Sequence, residues 1–146
     1  MSIEIRNMID KIQNWKPHLN ESTGKNIVYD NDGYQITVDD INDAQYVVLW
    51  YDGDKVGNLS VDSTRLKLSN DNDFNRYLKV SHVFIQSPHR GNGFGLLLYK
   101  TLLQYCADNV KGIISHGPNR SNKKQIPKIY KKLGGYEDND WYVIPT

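Results

Sequence analysis

A chain of 146 residues with 38% hydrophobic and 24% charged side chains fits one domain with a sizeable core and has the balance of a soluble globular protein rather than a disordered one. The formal net charge of +1 supplies no global attraction to nucleic acid. The single cysteine, Cys106, excludes an intramolecular disulfide and argues against a cysteine-based metal site. No apolar run approaches the ~20 residues of a membrane-spanning helix.

Near the N-terminus Ile5, Met8, Ile9, Ile12 and Trp15 recur at three- and four-residue steps, which predicts an amphipathic helix over 3–15, ended by Pro17. Glu4, Arg6 and Asp10 interrupt its apolar residues, so it does not read as a signal peptide, and a reducing cytoplasm is the expected compartment. Residues 18–26 are polar and read as a loop. Ile27-Val28-Tyr29 suits a short strand and Asn31-Asp32-Gly33 a turn, and Tyr34, Ile36 and Val38 then alternate with polar residues as an edge strand does. Tyr46–Tyr51 is too apolar and β-branched for a surface helix. With Asp52-Gly53-Asp54 and Lys55–Val61 it predicts a hairpin. Residues 64–68 extend that second strand or form another, and Ser69–Asn75 reads as polar and flexible.

Val80, Val83, Phe84 and Ile85 predict a buried strand, followed by a Ser87-Pro88 turn and by Gly91, Gly93 and Gly95. Leu96, Leu97, Leu98, Leu102 and Leu103 then recur at helical spacing, and Cys106 reads as a buried filler. Lys111–Ser115 is a short strand, so the strand near 80–86 runs parallel to it with a right-handed crossover. Residues 121–133 read as a helix with Ile126, Ile129, Tyr130 and Leu133 on one face. Pro127 requires either a start near Ile126 or a kink. Gly134-Gly135 stops that helix, and Trp141–Ile144 closes the chain as a strand. No repeat, low-complexity segment or linker divides residues 1–146, which read as one α+β domain. An antiparallel meander feeds one parallel strand–helix–strand unit, then a helix and a last strand follow.

The centre of this plan is Arg90-Gly91-Asn92-Gly93-Phe94-Gly95, where a strand gives way to a helix. Such a place presents bare backbone N–H groups at a helix N-terminus and holds an anion, most often phosphate. The dinucleotide fingerprint does not fit, because the glycines alternate, follow a meander and lie past the middle of the chain. A P-loop does not fit either, since Phe94-Gly95-Leu96 lacks the closing Gly-Lys-Ser/Thr.

The segment closely resembles the acyl-CoA-binding motif of the GNAT (Gcn5-related N-acetyltransferase) superfamily, which reads Gln/Arg-x-x-Gly-x-Gly/Ala. Ile129-Tyr130-Lys131-Lys132-Leu133-Gly134-Gly135-Tyr136 is similar to a second family segment, apolar-Tyr-x-x-Leu-Gly-Phe, and Tyr46–Val61 to the hairpin before the central strand. The resemblance covers about residues 45–144. It implies a GNAT-like, mostly antiparallel mixed sheet flanked by helices, with one parallel pair whose strands splay apart. It also implies acetyl-CoA as co-substrate and direct transfer of the acetyl group to an amine. Arg90, Gly91, Asn92, Gly93, Phe94 and Gly95 are implied around the pyrophosphate, the backbone of Phe84 and Ile85 along the pantetheine, and Asn122 as a further cofactor contact. Lys123, Lys124 and Lys128 are suited to the adenosine phosphates.

In the same resemblance Tyr130 matches the tyrosine that protonates the leaving thiolate. The family's central-strand glutamate has no counterpart, since Tyr77–Ser87 contains no acid. The base that takes the amine's proton is then His82, His116 or water. His89, beside the glycines, reads as solvated. Only Asp39–Gln45 lies between Val38 and Tyr46, too short for the two helices the family places there. Either the helix over 3–15 replaces them or the first strand lies earlier.

Acids crowd residues 30–73 and six basic residues lie between Arg120 and Lys132, a pattern suited to a cationic acceptor at one end and an anionic cofactor at the other. The acceptor is a protein lysine, a protein N-terminus or a small cationic amine, and the protein is a monomer or homodimer. Two alternatives accompany this expectation. One is a CoA-binding regulatory module without catalysis. The other is an aminoacyl-tRNA acetyltransferase, which the near-neutral charge disfavours.

Overall fold

Tight turns built from Asn, Asp and Gly shape the first half of the chain. Across the residues that the computed structural model describes, 27–116 and 125–146, strands β1 (Ile27–Asn31), β2 (Tyr34–Ile41), β3 (Ala44–Tyr51) and β4 (Asp54–Leu66) follow one another through two-residue connections. Asp32-Gly33, Asn42-Asp43 and Asp52-Gly53 all have positive φ, between 48° and 85°. That geometry gives a hairpin turn the twist of its flanking strands. Then come β5 (Asn75–Ile85), a 3-10 turn (Ser87–His89), helix α1 (Phe94–Tyr105), β6 (Val110–His116), helix α2 (Gln125–Lys132), β7 (Tyr136–Asp138) and β8 (Trp141–Pro145). The helix expected over 3–15 lies outside the described residues.

The described residues divide into two compact units, 27–60 with 82–106 and 61–81 with 107–116 and 125–146. In the first, the strand order is β1-β2-β3-β4 followed by the end of β5. β1 and β2 pair antiparallel, and β2 pairs antiparallel with β3 from Tyr34↔Tyr51 to Ile41↔Ala44. β2 therefore has a neighbour on each side and is not the edge strand its alternation suggests. Ile36, Thr37 and Val38 are consecutively buried, and the buried Thr37 hydroxyl accepts from the Trp50 indole Nε1–H at 3.0 Å. The connection between β2 and β3 is the turn Asn42-Asp43, so no helix separates them. α1 packs on β3, burying Phe94, Leu97, Leu98 and Leu102. Gln45 Nε2 donates to the Tyr105 carbonyl at 3.2 Å and so ties down the helix C-terminus.

In the second unit the order is β4-β5-β6-β8-β7. β5 and β6 are parallel, from Arg76↔Val110 to Lys79↔Ile114, while β6–β8 and β7–β8 are antiparallel. The parallel ladder thus uses the first half of β5, which begins five residues before the strand expected near 80–86. Leu68, Tyr77, Ile114 and Val143 form its core, flanked by Leu66 and Trp141. The short strand β7, unforeseen in the sequence, pairs with β8. Pro127 lies in the first turn of the described helix α2, where a missing N–H breaks no helical bond.

Residues 69–75, expected from the sequence to be polar and flexible, are organised by two buried acids. Asp71 accepts from the Leu68 N–H at 2.9 Å and from the Tyr77 hydroxyl at 2.6 Å, and pairs with the Lys111 ammonium. Asp138 accepts from the Ser69 N–H at 3.1 Å and from the Ser69 hydroxyl. Polarity here marks hydrogen-bonded acids rather than mobility, because a buried carboxylate persists only when paired. The architecture is α+β, a mixed sheet with four antiparallel pairs described above and the parallel pair β5–β6, as the sequence leads one to expect.

Candidate functional site

β5 ends in a capped corner. Gln86 N–H donates to the Val56 carbonyl at 2.8 Å and Gln86 Nε2 to the Lys55 carbonyl at 3.0 Å. The 3-10 turn Ser87–His89 starts with Pro88 in its first turn, where a fixed φ and a missing N–H are favourable. Its carbonyls are used at once: His89 N–H donates to Gln86 C=O at 2.9 Å and Arg90 N–H to Ser87 C=O at 3.2 Å. Asn92 Nδ2 donates back to the His89 carbonyl at 3.3 Å.

Gly91 and Gly93 follow with φ of 80° and 82°, left-handed values that glycine reaches without steric cost. Alternation of this kind turns successive N–H groups toward one concavity. Gly93 is also the N-cap of α1 and has no side chain to cap it. The first bond across it is Leu97 N–H donating to the Gly93 carbonyl at 3.1 Å. The amides of the preceding turn therefore have no carbonyl behind them in the helix. They carry the positive end of the helix dipole. Phe94 fixes the helix start: its buried ring packs on Tyr34 at 4.8 Å between centroids. Its side chain thus belongs to the core and only its amide faces the loop's task.

His89 is not a solvated loop histidine. It is half-buried, with Nδ1 3.2 Å from the Tyr34 hydroxyl and its ring 5.5 Å from that of Tyr51. Strands β2 and β3 thereby brace the turn before the glycines, a contact between residues 55 positions apart that no local pattern signals. Arg90 folds back: Nε–H donates to the Ile85 carbonyl at 2.7 Å, and the guanidinium lies 5.6 Å from the Phe84 ring centroid. Phe84 is 41% exposed and its carbonyl lies against Gly57 of β4. His82, on the same exposed face, stacks on Phe84 at 6.2 Å.

The second unit holds the remaining candidates. Tyr130 is 1% exposed, with its ring 5.6 Å from that of Tyr142. The chain after it reverses sharply: Gly135 N–H donates to the Tyr130 carbonyl at 2.6 Å and Gly134 has φ 76°, a left-handed helix stop. His116, half-buried at the end of β6, stacks on Trp141 at 5.3 Å with planes 17° apart. The Lys79 ammonium lies 5.7 Å from the same indole, a cation–π contact. Trp141 is a partner that the sequence did not single out. Asn122, Lys123 and Lys124 lie outside the described residues, and Lys128 is exposed on α2. Among the described residues no group of three or more His, Cys, Asp or Glu is placed to hold a metal ion, and no helix is long and apolar enough to cross a membrane.

The loop suits an anion on its own geometry. Amides at a helix start, two left-handed glycines and no acidic residue in the first turn of α1 favour an anion that approaches the backbone closely. Solved structures share the fold. NAA60 of Arabidopsis thaliana in complex with a bisubstrate analogue superposes with a TM-score of 0.54 at 13% identity, over 73% of this chain and 78% of that one. The KacTA–DNA complex gives 0.53 at 14%, over 73% and 70%. A tyrosine-to-phenylalanine mutant of the AtaT toxin, bound to the C-terminus of the antitoxin AtaR and acetyl-CoA, gives 0.51 at 13%, over 70% and 68%. No curated protein sequence matches the chain. The model of the acetyltransferase (GNAT) family matches residues 10–134, a span that takes in the glycine loop, both its flanking elements and Tyr130, and the chain belongs to that family.

Proposed function

We propose that this protein transfers an acetyl group from acetyl-CoA to a primary amine by direct attack. The observation that carries the reading is the run of uncapped amides from Gly91 to the first turn of α1, bent by two left-handed glycines. Those amides would hold the pyrophosphate, and the open-edge backbone at the end of β5 would take the pantetheine in the manner of an added strand. The thioester supplies an activated acyl carbon, and the protein's residues have two proton tasks. Tyr130 is buried, and its phenolic hydroxyl is the donor for the departing thiolate. His116, half-buried and fixed by Trp141, is the group that takes a proton from the attacking amine, with the exposed His82 as its rival. Acids at the hairpin turns and nearby, including Asp32, Asp43, Asp52 and Asp54, favour a cationic acceptor such as a lysine side chain, a protein N-terminus or a small polyamine.

Acceptor-stimulated release of free thiol from acetyl-CoA, with product mass, tests the reading. Tyr130→Phe should lower kcat about 100-fold or more with little change in CoA affinity. Gly93→Glu should abolish binding, because it adds a side chain at φ 82° and a negative charge at the anion site. Thiol release that no amine stimulates, in a chain that binds acetyl-CoA, would instead favour the regulatory module. Normal binding by the Gly93 variant would overturn the site.

A further inference from the structure

We propose that Arg90 is a positioning residue that splints the glycine loop to the end of β5, and that it acts through its Nε donor rather than through its charge. Gln86 N–H and Phe84 C=O both face β4, so the polar groups of Ile85 point the other way, to the side that β4 does not pair. The Ile85 carbonyl would be the last acceptor of the strand on that side. Arg90 Nε–H takes it at 2.7 Å. The bond joins residues five positions apart around the 3-10 turn, and the guanidinium is seated on the Phe84 ring at 5.6 Å. Arg90 is therefore tied to the strand through its side chain and to the turn through its N–H on Ser87 C=O. Its neighbour two positions on, Asn92, ties the glycine segment to His89. Together these bonds fix both ends of the stretch whose amides face the anion.

The chemistry of the donor makes the proposal specific. Nε of arginine and Nε2 of glutamine stand the same number of bonds from Cα. Lysine's ammonium stands one bond farther and is a hydrated point charge without a planar fork. A splint is thus served by Arg or Gln, whereas a phosphate ligand is served by Arg or Lys. The family motif that this segment resembles carries Gln or Arg at this position, the pair the splint requires. With the Ile85 carbonyl consumed, the next carbonyl that faces that side of β5 is that of Val83.

The turnover part of the test rests on the acetyl-transfer reading above, and hydrogen exchange of the free protein does not. In Arg90→Gln, exchange at residues 86–93 should stay within about twofold of wild type. In Arg90→Lys and Arg90→Ala it should rise about fivefold, the scale of one lost hydrogen bond. With turnover, the Lys and Ala variants should lose about fivefold in kcat/KM with acetyl-CoA while Arg90→Gln keeps it, and all three should change less with acetyl-pantetheine, which lacks the pyrophosphate that the splinted amides would hold. The proposal is overturned if Arg90→Lys behaves as wild type while Arg90→Gln loses activity with acetyl-CoA alone, which would make Arg90 a phosphate ligand. It is also overturned if Arg90→Ala leaves loop exchange unchanged. A wild-type protein that fails to bind acetyl-CoA would sink the transfer reading and leave the exchange result to decide the splint.

Discussion

Gly134 and Gly135 are adjacent glycines required for different physical reasons. Gly134 has φ 76° and open space where a Cβ would stand, so Gly134→Ala meets only backbone strain, about 1–2 kcal/mol. At Gly135 a Cβ would lie 2.7 Å from the Val143 carbonyl and 2.8 Å from that of Tyr130. Neither oxygen belongs to a flexible side chain, so the helix end and β8 must move apart. Gly135→Ala should therefore cost about 3 kcal/mol, in the range of overpacked sites. It should also lower kcat, because it displaces the residue proposed to protonate the thiolate. Gly134→Asn should be tolerated, since asparagine accepts the left-handed conformation at a helix stop. Urea midpoints with unchanged slope check the stability order. Equal losses for the two alanine variants would refute the distinction.

Among the elements, the hairpins show what the sequence reveals and what it hides. Asp32-Gly33 and Asp52-Gly53 announce their turns because glycine after aspartate is the strongest short-range signal for this connection. Asn42-Asp43 has no glycine, so residues 39–45 read as a spacer, although both residues adopt positive φ, 48° and 65°. Asp43→Gly should relieve that cost and raise stability by about 0.5–1 kcal/mol, read as a higher thermal midpoint. No gain would mean that the aspartate side chain compensates locally. The strand-to-helix glycine loop was legible because its chemistry is local, and so was the parallel unit around it. What was hidden depends on long-range partners. Tyr34 bracing His89, Trp141 stacking on His116, and Asp71 and Asp138 ordering residues 69–75 each depend on positions far apart in the chain. β2 alternates like an edge strand, yet β1 covers its free side, because periodicity reports faces and not neighbours.

Stability of the whole molecule against pH is bounded by groups that the fold holds in one charge state. The Lys111 ammonium, then the Tyr77 hydroxyl, hold the Asp71 carboxyl well below its ordinary value of 3.8. Such a group contributes stability that is fully present above about pH 4 and is lost as pH falls toward its folded value. On the alkaline side, burial pushes Tyr105 up to about 12, and burial followed by the Asp71 carboxylate pushes Tyr77 higher still. Their contribution is complete below about pH 10 and is lost as pH rises beyond it, when the unfolded chain ionises first. The stability profile should therefore be flat near neutrality and fall on both sides. Asp71→Asn separates the two limbs. At pH 7 it should cost about 2 kcal/mol, because a neutral amide replaces the charged acceptor of the Leu68 N–H and the Tyr77 hydroxyl. The cost stays modest because Lys111, with half its side chain exposed, regains water on losing its partner. Below about pH 4 the gap between the variant and wild type should narrow steadily as pH falls toward the folded value of Asp71, since protonation removes in the wild type what the substitution removed by design. The alkaline limb of Asp71→Asn should begin at a pH no higher than in the wild type, and with a smaller fall, because Tyr77 loses the carboxylate that opposed its ionisation. Chemical denaturation between about pH 2 and 11 would measure both limbs. An acid limb of unchanged slope in the variant would move the acid sensitivity to another carboxylate.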